Sequence, residues 1–422
     1  MGRLFIFFGP STCGKTTLLN GLSATGDITI APKYSERESR GAGDDIIHTP
    51  SIENSNCDVR YVINDNRYGI NLGEIRHLLE LPGNYGIVLS DLRVVRRLKH
   101  SFGADCIVVY VAKPVDSEQL GQINVQRHGF SPDGELRTRF EMEFRRLQAG
   151  ARLGVWDRVG ESLASLAELW RRKAPGGRSV EVRVSKIGQF HSRFIDNIAL
   201  FDHVVLNFGS IEQLLLQGQN LLKRRTAPPL SDRTPPIFVV CAAPGSGKGT
   251  LMENLNSMGT DAIKIVTKQA KRDPEETDKR DGMEAIGIDG EFSDDVDWRW
   301  TFHSKQTEYG VRTADIERNL REGVAQVFVA NPGQIETARE LFGARVVVLY
   351  LHSTIPEGIL MQHFIQKLGP DGAKARVASR TAVFESYVER ICAFDHVLLN
   401  TSHPEDLFDQ MYRLIDHYSP LL

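Results

Sequence analysis

The sequence predicts an α/β fold with two similar domains in tandem, each a parallel sheet flanked by helices. Both halves open with a short apolar strand that leads into a glycine-rich loop, RLFIFFGPSTCGKTT at 3–17 and PIFVVCAAPGSGKGT at 236–250. Both halves close on nearly the same phrase, LFDHVVLN at 200–207 and AFDHVLLN at 393–400. Between these ends, short apolar runs alternate with helical patterns, which is typical of βα units with parallel strands.

The middle of each half repeats the same order of elements. Tyr68-Gly69-Ile70 and Tyr309-Gly310-Val311 are interpreted as turns, and an amphipathic helix pattern follows each of them. Two continuous apolar runs come next in each half, as expected for parallel strands buried on both faces. These runs are YGIVLSD at 85–91, CIVVYVA at 106–112, AQVFVAN at 325–331 and RVVVLYLH at 345–352.

The predicted domains cover residues 1–223 and 236–422, with a linker at 224–235 that is rich in prolines and turn-forming residues. The first half also contains an insertion at about 130–178 that has no counterpart in the second half. Its apolar positions follow a helical period. Its arginines are interpreted either as part of a lid that closes over phosphate or as a solvated helix face. Packing of the helical pair against the other domain or a partner stays open as well.

Composition agrees with two ordinary globular domains. The chain has 422 residues, 41% of them hydrophobic and 25% charged, and it is too long for one ordinary core. No apolar run approaches the roughly 20 residues that cross a bilayer. Five scattered cysteines without metal-like spacing indicate reduced thiols. The expected location is the cytoplasm, without membrane attachment.

The first glycine-rich loop fits the pattern GxxxxGK[ST] at every fixed position, between a strand and a helix. In this pattern, backbone N–H groups and the helix N-terminus surround the β-phosphate of a nucleotide. Lys15 is expected to reach the β- and γ-phosphates, and the hydroxyl of Thr16 is expected to bind Mg²⁺. The predicted nucleotide-binding residues are Gly9, Ser11, Thr12, Cys13, Gly14, Lys15, Thr16 and Thr17.

The second loop departs from this pattern at two places. Ala242 replaces the first glycine, and Gly249 stands where the metal-binding hydroxyl usually does. The form PGSGKGT resembles the loop of adenylate kinases, so nucleotide binding is expected here too, with a purely structural loop as the alternative. The predicted binding residues are Pro244, Gly245, Ser246, Gly247, Lys248, Gly249 and Thr250.

A basic segment follows each loop. KYSERESR at 33–40 resembles the TTRxxR segment of guanylate kinases, in which two arginines hold the acceptor phosphate; arginine suits this role because its planar fork matches phosphate oxygens. In the second half Lys268 replaces the first arginine or the arginine is displaced by one residue. The resemblance implies substrate contacts from Ser35, Arg37, Arg40, Tyr68, Lys268, Arg272 and Tyr309.

Taken together, the loops, the basic segments, the Tyr-Gly markers and the closing phrases resemble the guanylate kinase superfamily of P-loop nucleoside monophosphate kinases. The resemblance covers nearly the whole chain twice. WTFHSKQTEYGV at 300–311 is also similar to ribose 1,5-bisphosphate phosphokinases, while the glutamate that reads guanine has no clear counterpart at 57–67. The resemblance implies transfer of the γ-phosphate from ATP, with Mg²⁺, to a nucleoside monophosphate or a sugar phosphate.

Further catalytic roles follow from the resemblance. It implies that Lys15, Arg37, Arg40, Lys248 and Arg380 act on the transferring phosphate, with Arg380 on a lid-closing helix. Asp91, which ends a buried run, is assigned to catalysis and to the metal site together with Thr16. A helix N-cap is an equally good interpretation of Asp91. Asn331 is placed at the matching position of the second half.

Several whole-protein interpretations stay open at this point. One domain can be catalytic and the other regulatory, or both can have become binding modules, although the loop lysines Lys15 and Lys248 argue against the latter. A net charge of −3 gives no overall basic field for nucleic acid, yet a kinase that acts on nucleic acid stays open. A homo-oligomer is compatible with the sequence.

Overall fold

The computed structural model describes the chain with several gaps. It covers residues 2–10, 13–37, 45–63, 66–113, 190–207, 210–223, 235–257, 263–274, 283–288, 290, 292, 300–304, 307–355, 357–400 and 404–419. The predicted insertion, all of the predicted linker but its last residue, and the predicted site residues Ser11, Thr12 and Arg40 lie outside the described residues.

Strands and helices alternate in both halves. The strands are β1 Arg3–Phe8, β2 Thr29–Ile30, β3 Tyr34–Ser35, β4 Ile47–His48, β5 Val59–Ile63, β6 Asn66–Ile70, β7 Asn84–Leu89, β8 Cys106–Ala112, β9 His203–Leu206, β10 Ile237–Ala242, β11 Ile263–Ile265, β12 Lys268–Ala270, β13 Met283–Ala285, β14 Trp300–Ser304, β15 Thr307–Val311, β16 Ala325–Ala330, β17 Val346–Ser353 and β18 His396–Asn400. The helices are α1 Lys15–Ala24, α2 Leu72–Glu80, α3 Leu92–Phe102, α4 Ile211–Leu222, α5 Lys248–Ser257, α6 Thr313–Arg321, α7 Ile335–Phe342, α8 Glu357–Glu389 and α9 Pro404–Tyr418.

Two parallel sheets of five strands form the centre of the two halves. Their strand orders are β2-β7-β1-β8-β9 and β11-β16-β10-β17-β18, so the second order repeats the first element by element. Every strand pair in them is parallel. Strands β8, β16 and β17 are buried along their whole length and β1 at every residue but Arg3, because helices cover both faces. The predicted α/β class is confirmed.

Each half also has a smaller sheet that the sequence patterns did not predict. The orders are β4-β3-β6-β5 and β13-β12-β15-β14, and in each sheet the first pair is parallel and the other two are antiparallel. The interpretation of the Tyr-Gly markers as turns is wrong, because both lie within strands, β6 and β15. A methyl group on Gly69 would lie 2.4 Å from Sγ of Cys57, so the glycine lets the neighbouring chain approach.

Matching side chains hold the last strand of each large sheet. Gln217 of α4 bonds both the N–H and the carbonyl of Leu206, at 2.9 and 2.8 Å. Gln410 of α9 does the same to Leu399, at 2.9 Å for both bonds. These buried amides replace backbone partners that an edge strand would otherwise lack.

The two halves contact each other along the edge strands β9 and β18 and the helices beside them. The side chain of Asn220 donates to the carbonyl of Val388 at 3.0 Å, and Arg413 pairs with Asp196 at 2.9 Å. Within the described ranges, no helix is both long enough and apolar enough to span a bilayer.

Candidate nucleotide and acceptor sites

The first glycine-rich loop connects β1 to α1, and its lysine is turned onto the loop backbone. Gly9 and Gly14 have φ values of 154° and 96°, which favour glycine. Lys15 is only 8% exposed, and its Nζ donates to the carbonyl of Gly9 at 2.8 Å. Nζ also lies 3.7 Å from Sγ of Cys13. The ammonium group therefore lies against carbonyl groups of the loop, where phosphate oxygens would be stronger partners.

The second loop connects β10 to α5. Gly245 and Gly247 have φ values of 75° and 94°. Ser246 is buried, and its hydroxyl donates to the carbonyl of Ala243. Lys248 is the first residue of its helix, as Lys15 is in the first half. The glycine before each lysine has nearly the same φ, 96° at Gly14 and 94° at Gly247, although the loop sequences differ.

A metal ion would find different donors at the two loops. Thr16 is exposed on the first turn of α1, one residue after the buried lysine, whereas Gly249 at that place offers no hydroxyl. Among the described residues, no group of three or more His, Cys, Asp or Glu side chains could hold a metal. One hydroxyl with phosphate oxygens and waters is a set that suits Mg²⁺. The first loop therefore fits the ion better.

The register of the small sheets aligns the basic segments that follow the two glycine-rich loops. β3 pairs with β6, and β12 with β15, through the glycine of each Tyr-Gly marker. In this alignment Lys33 is equivalent to Lys268, and Arg37 is equivalent to Arg272. The equivalent of Lys268 is therefore a lysine, and the arginines match without displacement.

Both aligned lysines are buried and reach the neighbouring central strand. Lys33 donates to the carbonyl of Val88 at 2.9 Å, and Lys268 to that of Val329 at 2.8 Å. Lys33 also pairs with Asp45 at 2.6 Å. No role was predicted for Lys33, because a single lysine in a charged run resembles a solvated face. Lys33 could have been predicted from its counterpart in the repeat, Lys268.

Other predicted acceptor residues lie on the same sheets. The Ser35 hydroxyl is fully buried and donates to the carbonyl of Arg67 at 2.9 Å, so it joins β3 to β6. The ring of Tyr68 stacks on Tyr61 with centroids 5.3 Å apart. In the second half, Tyr309 stacks on Phe302 at the same distance of 5.3 Å.

Asp91 is the N-cap of α3 in this structure. Its carboxylate accepts from the backbone N–H of Arg93 at 2.8 Å and pairs with the guanidinium at 2.7 Å. The hydrogen bonds from Arg93 lower the pKa of Asp91. The match of Asp91 with Asn331 is wrong, because Asn331 directly follows β16 as Ser90 follows β7, which places Pro332 opposite Asp91.

Arg380 lies where β17 ends, at the edge of the sheet that carries the second loop. It donates through Nη2 to the carbonyl of Ser353 at 2.7 Å. Its Nη1 is buried and has no hydrogen-bond partner among the described residues. Burial and the nearby Arg380 lower the pKa of His352 to about 3. Arg376, one turn earlier, is exposed.

Helix α8 bends over the second loop. It kinks at Gly369, where φ is 75° and Pro370 follows. The ring of Phe364, on the first arm, packs on the loop: a methyl group built on Gly245 would lie 2.7 Å from that ring. The two arms of this helix thus bring an aromatic ring and Arg380 to the same end of the second sheet.

The closing asparagines were also not among the predicted site residues. Asn207 donates to the carbonyl of Cys13, and Asn400 to the carbonyl of Ser246, both at 2.9 Å. Each asparagine thus contacts the residue that precedes Gly-Lys in its loop. Their repetition at the end of FDHVVLN and FDHVLLN could have indicated a shared role.

Comparison with known proteins gives weak matches. No protein-family model and no curated protein matches the chain. Among solved structures, it is similar to a guanylate kinase from Anaplasma phagocytophilum, with 17% identity and a TM-score of 0.29 over 44% of this chain and 87% of that one. It is also similar to a gluconokinase from Sinorhizobium meliloti 1021, with 12% identity and a TM-score of 0.26 over 44% of this chain and 95% of that one.

Proposed function

We propose that this protein is a P-loop phosphotransferase that moves the γ-phosphate of ATP to a phosphorylated small molecule. The observation that carries the proposal is the position of Lys15. Its ammonium group is buried against the carbonyl of Gly9 at 2.8 Å, at the end of a parallel strand and the start of a helix. A buried cation beside a helix N-terminus is an arrangement that binds anions.

The first loop would hold the phosphates in three ways. Backbone N–H groups of the loop and of α1 would donate to the β-phosphate. Lys15 would exchange its carbonyl partners for β- and γ-phosphate oxygens. The exposed hydroxyl of Thr16 would hold a magnesium ion, and Asp91 would join it only by giving up Arg93. The ion, when bound, would neutralise charge that develops on the phosphates.

The small sheets would supply the acceptor site. Arg37 and Arg272 follow equivalent strands and would hold the acceptor phosphate, with Arg40 as the second arginine of the first half. Tyr68 and Tyr309 lie on the adjacent strands. A nucleoside monophosphate or a sugar phosphate would satisfy this set, and we propose one of these as the substrate.

The two halves differ in a complementary way. The first loop has Thr16, whereas Gly249 stands at that place in the second. The second half has Arg380, whose counterpart by the aligned closing phrases, Ile187, lies outside the described residues. We propose two guanylate-kinase-like domains on either side of a linker at 224–235. One would be the principal catalyst and the other a weaker or regulatory site.

Measured ATP turnover tests this function. The chain would be incubated with Mg²⁺, ATP and a panel of nucleoside monophosphates, sugar phosphates and oligonucleotides, and ADP release would be followed. We expect release with one phosphorylated small molecule, a loss of at least about 100-fold on Lys15→Ala and a smaller loss on Lys248→Ala. Lys264→Ala changes an exposed lysine of β11, an edge strand of the second large sheet, and serves as the control.

Three results would contradict the proposal or a part of it. If calorimetry with ATP and Mg²⁺ shows no binding at either loop, the protein is a duplicated binding scaffold instead. If only oligonucleotides stimulate ADP release, the acceptor is nucleic acid. Equal partial losses in the two lysine variants would show that neither domain is the principal catalyst.

A further inference from the structure

The asparagine that ends each repeat touches its phosphate loop in the same way. Asn207 donates through Nδ2 to the carbonyl of Cys13 at 2.9 Å. Asn400 donates through Nδ2 to the carbonyl of Ser246, also at 2.9 Å. The two loops differ in sequence at the accepting residue, Cys in one and Ser in the other. The contact is therefore made to the backbone alone, and it is repeated independently of the side chain.

The glycine next to each contact fits the asparagine closely. A methyl group on Gly14 would lie 2.6 Å from Nδ2 of Asn207, and one on Gly247 would lie 2.3 Å from Nδ2 of Asn400. Both glycines also have φ values, 96° and 94°, that other residues rarely adopt. The glycine before each lysine thus permits both the turn of the loop and the approach of the amide.

The consequence follows from the planarity of the peptide bond. In a trans peptide the carbonyl and the N–H point in opposite directions. When Asn207 holds the carbonyl of Cys13, the N–H of Gly14 is directed away from the asparagine. Asn400 does the same for the N–H of Gly247 through the carbonyl of Ser246. One side-chain hydrogen bond thereby determines where a loop N–H points.

We propose that Asn207 and Asn400 are positioning residues that orient the N–H groups of Gly14 and Gly247 toward the phosphates of a bound nucleotide. The proposal rests on nucleotide binding at these loops. Each asparagine lies at the end of the last strand of its sheet, and a buried glutamine holds that strand from the neighbouring helix. The amide therefore acts from a rigid element, as a positioning group requires.

The test compares nucleotide affinity with stability. Asn207→Leu and Asn207→Ala would be made in a Lys248→Ala background, so that titration calorimetry with ATP and Mg²⁺ reports the first loop alone. We expect about tenfold weaker binding in both variants, because one hydrogen bond that orients an N–H is lost, while the thermal midpoint of unfolding stays within a few degrees. Asn400→Leu in a Lys15→Ala background repeats the test for the second loop.

A matched control makes the same chemical change elsewhere. The side chain of Asn197 donates to the carbonyl of Arg193 at 2.8 Å, far along the chain from either loop. Asn197→Leu should leave nucleotide affinity unchanged. The positioning role is overturned if Asn207→Leu and Asn400→Leu also leave nucleotide affinity unchanged. It is equally overturned if they lower binding only as much as they lower the fraction of folded protein. In either case the proposed phosphotransferase activity stands. If the unaltered chain binds no nucleotide, both proposals are overturned.

Discussion

The hydroxyl of Tyr387 lies 3.1 Å from Nε2 of His203 and joins the two halves of the chain. It also donates to the carbonyl of Val204 at 2.8 Å, and the rings of Tyr387 and His203 are nearly parallel, 7° apart. Tyr387 belongs to α8, the helix that carries Arg380, whereas His203 belongs to the edge strand that ends beside Asn207. The contact thus attaches the helix over the second loop to the first half.

Removing the hydroxyl of Tyr387 should lower the free energy of unfolding by a measurable amount. Tyr387→Phe keeps the ring but leaves the buried carbonyl of Val204 without this donor, so we expect a loss of about 1–3 kcal/mol in the free energy of unfolding. Urea unfolding followed by fluorescence measures it. Tyr412→Phe removes an exposed hydroxyl and should cost less than about 0.5 kcal/mol. Equal effects of the two changes would show that the contact between the halves contributes nothing.

Arg380 should matter for turnover in the second half. Its buried Nη1 has no partner among the described residues, so it has a donor to offer a phosphate. In a Lys15→Ala background, we expect Arg380→Ala to lower kcat about 100-fold, since one donor to developing charge is lost. Arg376→Ala, one turn earlier and exposed, should stay within about twofold. Unchanged kcat in Arg380→Ala would exclude a role in the transfer.

Burial of His352 should make stability depend on pH. Its pKa is about 3 in the folded chain and about 6.5 when unfolded. Between these values the unfolded chain binds a proton that the folded chain does not, so stability falls as the pH is lowered through this window. The slope reaches at most about 1.4 kcal/mol per pH unit.

Urea midpoints at pH 7.5 and 5.0 measure this effect. His352→Gln should remove that part of the pH dependence, whereas His303→Gln, at an exposed position of β14, should leave it unchanged. If His352→Gln loses stability with falling pH as steeply as the unaltered chain, His352 does not cause this pH dependence.

The buried pair of Lys33 and Asp45 gives a fourth prediction. The two side chains are 6% and 9% exposed and 2.6 Å apart. Asp45→Asn leaves the buried ammonium group without its carboxylate, so we expect a loss of about 3 kcal/mol in the free energy of unfolding. The pair Arg67 and Glu53 is 52% and 67% exposed, and Glu53→Gln should cost less than about 1 kcal/mol.

A double variant measures the interaction between Lys33 and Asp45 apart from the effect of each residue alone. Lys33→Met together with Asp45→Leu removes both charges and should cost less than Asp45→Asn alone. If the double variant costs as much as the sum of Lys33→Met and Asp45→Leu made separately, the two residues do not interact energetically.

Patterns of short range identified the large sheets correctly. Continuous apolar runs such as those at β8 and β17 are typical only of strands buried on both faces, and the repeat of glycine-rich loop and closing phrase doubled every signal. The small sheets were not predicted because most of their strands are short and only partly buried. β5 is a mixture of buried and exposed residues, and the Tyr-Gly marker within β6 resembles a turn when read alone.

By itself, the sequence determined the α/β class and the place of the lysine after each glycine-rich loop, because local spacing encodes strand, glycine turn and helix. Only the tertiary structure decided which distant residues meet these loops. Asn207 contacts Cys13, Lys33 aligns with Lys268, and Arg380 reaches the end of β17, across separations that no local pattern records. Such contacts arise when strands far apart in the chain end at the same edge of a sheet.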